Sequence, residues 1–134
     1  MTLPTPEQLN ANRIPFGETL DIRFTHVSAD ELRAEMTVRP DMCTLPAILH
    51  GGATMALADN VAATAAFLNL PEGAAGTTTV ESKTNFLAPA PVGSVVRAIA
   101  TPVQRGRRLQ VWQTRIESEA GKLLALVTQT QITL

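Results

Sequence analysis

Between Met42 and Pro71 the chain carries one formal charge, the carboxylate of Asp59. It stands inside an apolar stretch that opens with His50-Gly51-Gly52. A carboxylate in such surroundings is costly unless it is tightly paired or does chemistry. The chemistry open to it is proton abstraction or nucleophilic attack. The same residue type also caps loops or accepts from backbone amides, so spacing alone leaves a structural role open.

The glycines supply the complementary chemistry. The first N–H groups of a helix have no intrahelical partner and sit at the positive end of its dipole. Without side chains, Gly51 and Gly52 let a carbonyl oxygen come close enough to receive those donors, as an oxyanion hole requires. His50 can orient that turn or donate to it. Asp59, however, lies eight residues beyond Gly51, roughly 12 Å along a helix axis. If both act on one carbonyl, two copies of the helix lie antiparallel, each offering its Gly51 end to the other's Asp59. That is a two-fold homodimer with two shared sites.

The elements that position these residues follow from pattern. Ala53 to Leu68 is rich in Ala, Leu and Met, lacks Pro and follows two glycines, which predicts a helix. It is apolar almost all round, so it is expected to be wrapped on most sides. Of its polar residues, Asn60 and Thr64 are four apart and share a stripe. Thr5 caps a short N-terminal helix that begins at Pro6 and ends before Pro15. Leu20 to Phe24 and Glu31 to Val38 alternate apolar with polar as half-buried strands. After the helix, Gly76 to Leu87, Val95 to Val103, Leu109 to Ser118 and Leu123 to Leu134 read as strands, separated by turns at Pro89–Gly93, Gly106 and Glu119–Lys122. The expectation is an α+β domain: two strands, one long helix, then a four-stranded antiparallel meander curled round the helix.

Composition narrows the class. At 134 residues with a net charge of −1 and a pI near 6.1, the chain is expected to be one domain, residues 1–134 with a helical segment over 1–15. It has no basic face for nucleic acid. The stretch from Ala53 to Leu70 holds Asp59, two Asn and two Thr and has no basic flanks, so a membrane span is not expected. Residues 1–12 lack a secretory pattern, and one cysteine, Cys43, forms no internal disulfide; the cytoplasm is the expected compartment. Too few Cys and His are present for a metal site, and no cofactor is expected.

His50-Gly51-Gly52 followed by Leu57-Ala58-Asp59, then Asn85-Phe86-Leu87-Ala88-Pro89-Ala90 and Gly106-Arg107-Arg108, resembles the hotdog-fold acyl-CoA thioesterases of the phenylacetate-pathway (PaaI-like) type. The likeness runs from about Phe16 onward. It implies a hotdog fold, a dimer or a tetramer of dimers, and hydrolysis of an acyl-CoA thioester without metal or redox cofactor. It further implies that Asp59 activates water or attacks the thioester, that the other subunit's Gly51 N–H polarises the carbonyl, that His50 supports the turn, and that Thr79 helps to hold the water.

Two departures matter. Family members usually carry Asn or Gln six residues before the His, and this chain has Thr44. A hydroxyl donates but reaches less far, and losing an oxyanion donor costs on the order of 10²-fold in rate. Ala47 stands where Gly is common. Arg105, Arg107 and Arg108 read either as a clamp for the CoA phosphates or as a solvated turn. Phe16, Met55, Phe86 and Trp112 are candidates for the acyl pocket, equally readable as core. The alternative to an enzyme is a slow or non-catalytic acyl-CoA binding protein of the same fold. A hotdog dehydratase, which pairs His with an acid to move a proton at carbon, fits the His-Gly-Gly turn less well.

Overall fold

A computed structural model describes residues 2–134. Its elements run α1 (Pro6–Ala11), α2 (Pro15–Thr19), β1 (Arg23–Val27), β2 (Leu32–Thr37), a short hairpin of β3 (Cys43–Thr44) and β4 (Ile48–Leu49), α3 (Gly51–Leu68), then β5 (Thr77–Phe86), β6 (Val95–Arg105), β7 (Leu109–Ser118) and β8 (Leu123–Thr133). Six strands form one antiparallel sheet in the order β1-β2-β6-β7-β8-β5, with α3 packed across it. The α+β class and the long central helix are as expected.

The meander is only partly realised. β6, β7 and β8 are joined by tight turns, closed by Gly106 N–H to Leu109 and by Gly121, with φ +85°, between Ser118 and Lys122. β5 instead pairs with β8 at the far edge, leaving its other side free. The Pro89–Gly93 turn is therefore a crossing connection, not a hairpin. Its backbone is spent elsewhere: Ala90 C=O accepts from Leu49 N–H, and Val92 N–H donates to Ala47. α2 and the β3–β4 hairpin were not anticipated, because five- and two-residue elements carry too little periodicity to read.

Small residues set the depth at which the helix lies. Ala34, Ala98, Ala100 and Ala125 on the strands are fully buried, as are Ala58, Ala62 and Ala66 on α3. Trp112, Ile22, Met36, Leu32 and Ile116 are the large side chains of the same core. The helix C-terminus is closed by polar groups from the sheet. Buried Gln110 donates to Ala66 C=O and Asn69 C=O, and accepts from Trp112 Nε1 at 2.7 Å. These bonds satisfy carbonyls that a helix end leaves orphaned. Trp112 is thus core, not pocket.

The wrapping is incomplete. One stripe of α3, bearing Gly52, Met55 and Phe67, stays exposed in the single chain. The sheet curves round one side and the N-terminal segment covers a flank, but nothing covers that stripe among the described residues. The segment is pinned by Asn10, whose amide donates to Phe24 C=O at 2.9 Å and accepts from Phe24 N–H at 2.7 Å beside a β-bulge. Arg13 bonds Asp21 at 2.8 Å and holds that carboxyl below the usual carboxylate range. No helix among the described residues is long and apolar enough to cross a membrane. Replacing Asn10 by Ala orphans both Phe24 groups; chemical denaturation is expected to register a loss of about 1–3 kcal/mol, with faster proteolysis of the first fifteen or so residues.

Candidate active site

The helix start is built by the loop before it. Met42 C=O accepts from His50 N–H, and the hairpin hangs on the 90–92 segment through Leu49 and Ala47. His50 is the N-cap of α3: its Nδ1 accepts from Gly52 N–H at 2.8 Å. The ring therefore carries its proton on Nε2 and occupies one of the orphan donors itself. Gly51 N–H is left without an acceptor among the described residues. It borders a cavity of 490 Å³ lined by Thr44, Thr54, Phe86 and Ala88 among others. Thr44 is exposed and lines the same cavity. A side chain at Gly51 would meet the Phe86 ring at 3.1 Å. Ala47 has φ +87°, a left-handed conformation that costs a Cβ-bearing residue and favours glycine.

Asp59 sits in different surroundings. It is only partly buried and borders a second cleft, of 930 Å³, between α3 and the N-terminal segment. The wrapping expected on most sides of this helix stops short here, since the uncovered stripe of α3 gives Asp59 access. Its Oδ1 accepts from Thr79 Oγ1 at 2.8 Å and from Gln129 Nε2 at 3.0 Å. Gln131 Nε2 donates in turn to Thr79 Oγ1. Oδ2 accepts nothing among the described residues. The acid is thus gripped by one oxygen and presents the other.

Thr79 reaches Asp59 because β5 bulges between Thr79 and Glu81, which re-aims the strand at that point. Gln129 and Gln131 escaped the sequence reading. Their signal was present: two glutamines at alternate positions of β8 lie on its inward face, each 1 % exposed. Uncharged polar residues on a core-facing strand are costly unless bonded.

Of the residues singled out by sequence, the fold brings Asp59 and Thr79 together, and His50, Gly51 and Thr44 together, as two separate groups. The arginines divide. Arg105 bonds Ala29 C=O and Asp30 at 2.8 Å each, and also the Asn69 side chain, so it ties a loop to the end of α3. Arg107 and Arg108 are exposed at the hairpin tip, their side chains without partners among the described residues. Phe16 lines the larger cleft and Phe86 the smaller cavity. Cys43 is a half-buried thiol donating to Arg39 C=O. Among the described residues no cluster of His, Cys, Asp and Glu suits a metal.

A curled antiparallel sheet packed on one long central helix is a hotdog fold. The chain belongs to the thioesterase superfamily, whose family model matches residues 47–125. It is 37 % identical over 123 residues to the 1,4-dihydroxy-2-naphthoyl-CoA hydrolase of Escherichia coli, covering 89 % of this chain and 87 % of that protein. A thioesterase crystal structure from Haemophilus influenzae superposes with a TM-score of 0.91 at 31 % identity, covering 99 % of this chain and 92 % of the other. A mutant of the phenylacetic acid degradation protein PaaI from Thermus thermophilus superposes with 0.82 at 31 % identity, covering 90 % of this chain and all of the other.

The strained loop gives a direct measurement. Ala47→Gly relieves the left-handed backbone at some entropic cost in the unfolded chain, and a net gain of about 1 kcal/mol is expected as a raised denaturation midpoint with an unchanged slope.

Proposed function

We propose that this protein hydrolyses an acyl-CoA thioester at two identical sites shared across a two-fold homodimer. The observation that carries it is the grip on Asp59: one carboxylate oxygen is held by Thr79 and Gln129, and the other is free in an open cleft. The naming of a relative for hydrolysis of an acyl-CoA supports the substrate class.

Two rulers in the fold support the dimer. On α3, Gly51 and Asp59 lie either side of Met55, which is exposed on the uncovered stripe. On β5, Phe86 lies against Gly51 and Thr79 against Asp59, at opposite ends of a ten-residue strand with a free edge. Antiparallel pairing of two such edges about their centres sets Thr79 opposite the partner strand's Thr84, two residues short of Phe86. The same axis sets Asp59 level with the partner helix's Gly51. A free edge of that length also invites pairing, since its N–H and C=O groups otherwise go without protein partners.

In this arrangement the thioester oxygen lies on the partner's Gly51 N–H, with Thr44 beside it. His50 holds Gly52 N–H and so fixes the turn that aims Gly51 outward. Asp59 Oδ2 takes a proton from water as the water oxygen attacks the carbonyl carbon. The oxyanion collapses, the C–S bond breaks, and the CoA thiolate takes the proton back from Asp59. Attack by Asp59 itself, through an acyl-aspartyl anhydride, uses the same residues. A single turnover in isotope-labelled water separates the two routes, because only the anhydride leaves label in Asp59. Arg107 and Arg108 are the free cations for the CoA phosphates, and Arg105 is withdrawn from that role.

Two outcomes are expected. Asp59→Asn lowers kcat on acyl-CoAs by about 10²-fold or more with little change in KM, read by release of free thiol. A variant that hydrolyses every acyl-CoA at the wild-type rate overturns the assignment. The shared site is tested by mixing Asp59→Asn with Gly51→Pro, which removes the N–H at a first helical position whose backbone accepts proline, the exposed Phe86 ring shifting by a few tenths of an ångström to admit it. Each variant alone is slow. Re-paired subunits combine one intact Asp59 with one intact Gly51 and recover about a quarter of wild-type activity, whereas a site within one chain recovers none.

A further inference from the structure

The cleft beside Asp59 holds a second polar feature that hydrolysis itself does not use. Asp59 and Asn60 are consecutive on α3, so their side chains leave the helix about 100° apart and stand on different walls. Ala56, Ala63 and Phe67 project between them and form the floor. The other polar side chains of the cleft are committed, the exposed Thr2 aside. Gln8 accepts from Thr5 N–H, Asn12 donates to Gln8 C=O, and Arg13 is bonded to Asp21. Thr64 donates to Asn60 C=O and Thr77 to Gln131.

Asn60 is the exception. It is 6 % exposed and lines the cleft, yet its side-chain amide has no hydrogen-bond partner among the described residues. Gly17 leaves room for it, since a Cβ there would lie 2.9 Å from Nδ2. Neither of its polar atoms is among those sealed from solvent without a partner, so the amide opens into the cleft. An acyl group that fills the cleft displaces solvent from that amide, and a ligand oxygen replaces the lost partner. An amide both donates and accepts, so a hydroxyl satisfies it in either sense and a carbonyl satisfies its donors.

We propose that Asn60 is a specificity-determining residue: it hydrogen-bonds a hydroxyl or carbonyl oxygen on the acyl group, away from the thioester, so that oxygen-bearing acyl thioesters are favoured over plain hydrocarbon ones. This rests on Asp59 being the reacting carboxylate, which brings the acyl group into this cleft. A hydrocarbon acyl group leaves the amide unpaired, and sites built to bond a substrate hydroxyl discriminate strongly against analogues that lack it.

The test uses two matched pairs, 3-hydroxybenzoyl-CoA against benzoyl-CoA and 3-hydroxydecanoyl-CoA against decanoyl-CoA. Wild-type kcat/KM is expected to favour the hydroxylated member of at least one pair by about tenfold or more; which pair identifies a ring or a chain. Asn60→Leu, which keeps the branching but replaces the amide by two methyl groups, brings that ratio near one, chiefly through KM, and Asn60→Ser restores part of it. A wild-type ratio near one in both pairs, or a ratio that Asn60→Leu leaves intact, overturns the proposal. So does a parallel loss on both members, which marks Asn60 as structural. Calorimetric binding of non-hydrolysable thioether analogues of the same pairs keeps the two readings apart. A binding preference abolished by Asn60→Leu sustains the role of Asn60 even where Asp59→Asn leaves turnover untouched.

Discussion

Eight residues of α-helix separate Gly51 from Asp59, and no side-chain rotation closes a gap of roughly 12 Å along a rigid axis. The free N–H at the start of α3 and the free carboxylate oxygen on its flank therefore face different spaces, a cavity of 490 Å³ and a cleft of 930 Å³. Much of the architecture can be understood as a consequence of keeping both groups available. The helix is sheathed by the sheet where it needs burial and left bare along the stripe that passes Met55. The proposed two-fold pairing makes one site from two incomplete halves.

Each half is held by groups that satisfy some partners and leave one free. At the glycine end, the His50 ring takes Gly52 N–H and leaves Gly51 N–H. At the acid, Thr79 and Gln129 take Oδ1 and leave Oδ2. In both cases the bonded member fixes geometry and leaves the other available, the kind of preorganisation that the proposed chemistry requires. The buried glutamines of β7 and β8 serve this end. Gln129 and Gln131 orient the acid and its threonine, while Gln110 closes the last turn of the same helix.

The legible part of this protein was the part governed by local pattern. The turns at Gly106 and Glu119–Lys122 marked β7 and β8 almost to the residue, and the alanine-rich run marked α3. Ala47 was conspicuous where glycine is common, and its φ of +87° is the physical reason. The order of strands was not legible, because β5 pairs with β8 across a long separation that no turn signal encodes. Arg105 looked like its neighbours in sequence, and only the approach of Asp30 from another loop distinguishes it.

The amino-acid sequence by itself determined the helix, its lone carboxylate, its glycine start and the distance between them, because a helix converts residue count into length. It also determined that one copy cannot unite those groups on a single atom. The tertiary structure decided what stands around them: a bulge that turns Thr79 toward Asp59, glutamines from a distant strand, a stripe of helix left open, and an unpaired Asn60 amide beneath Gly17. Those are contacts between residues far apart in the chain. They arise from how the sheet curls and where its edges fall, which side-chain periodicity within any one segment does not specify.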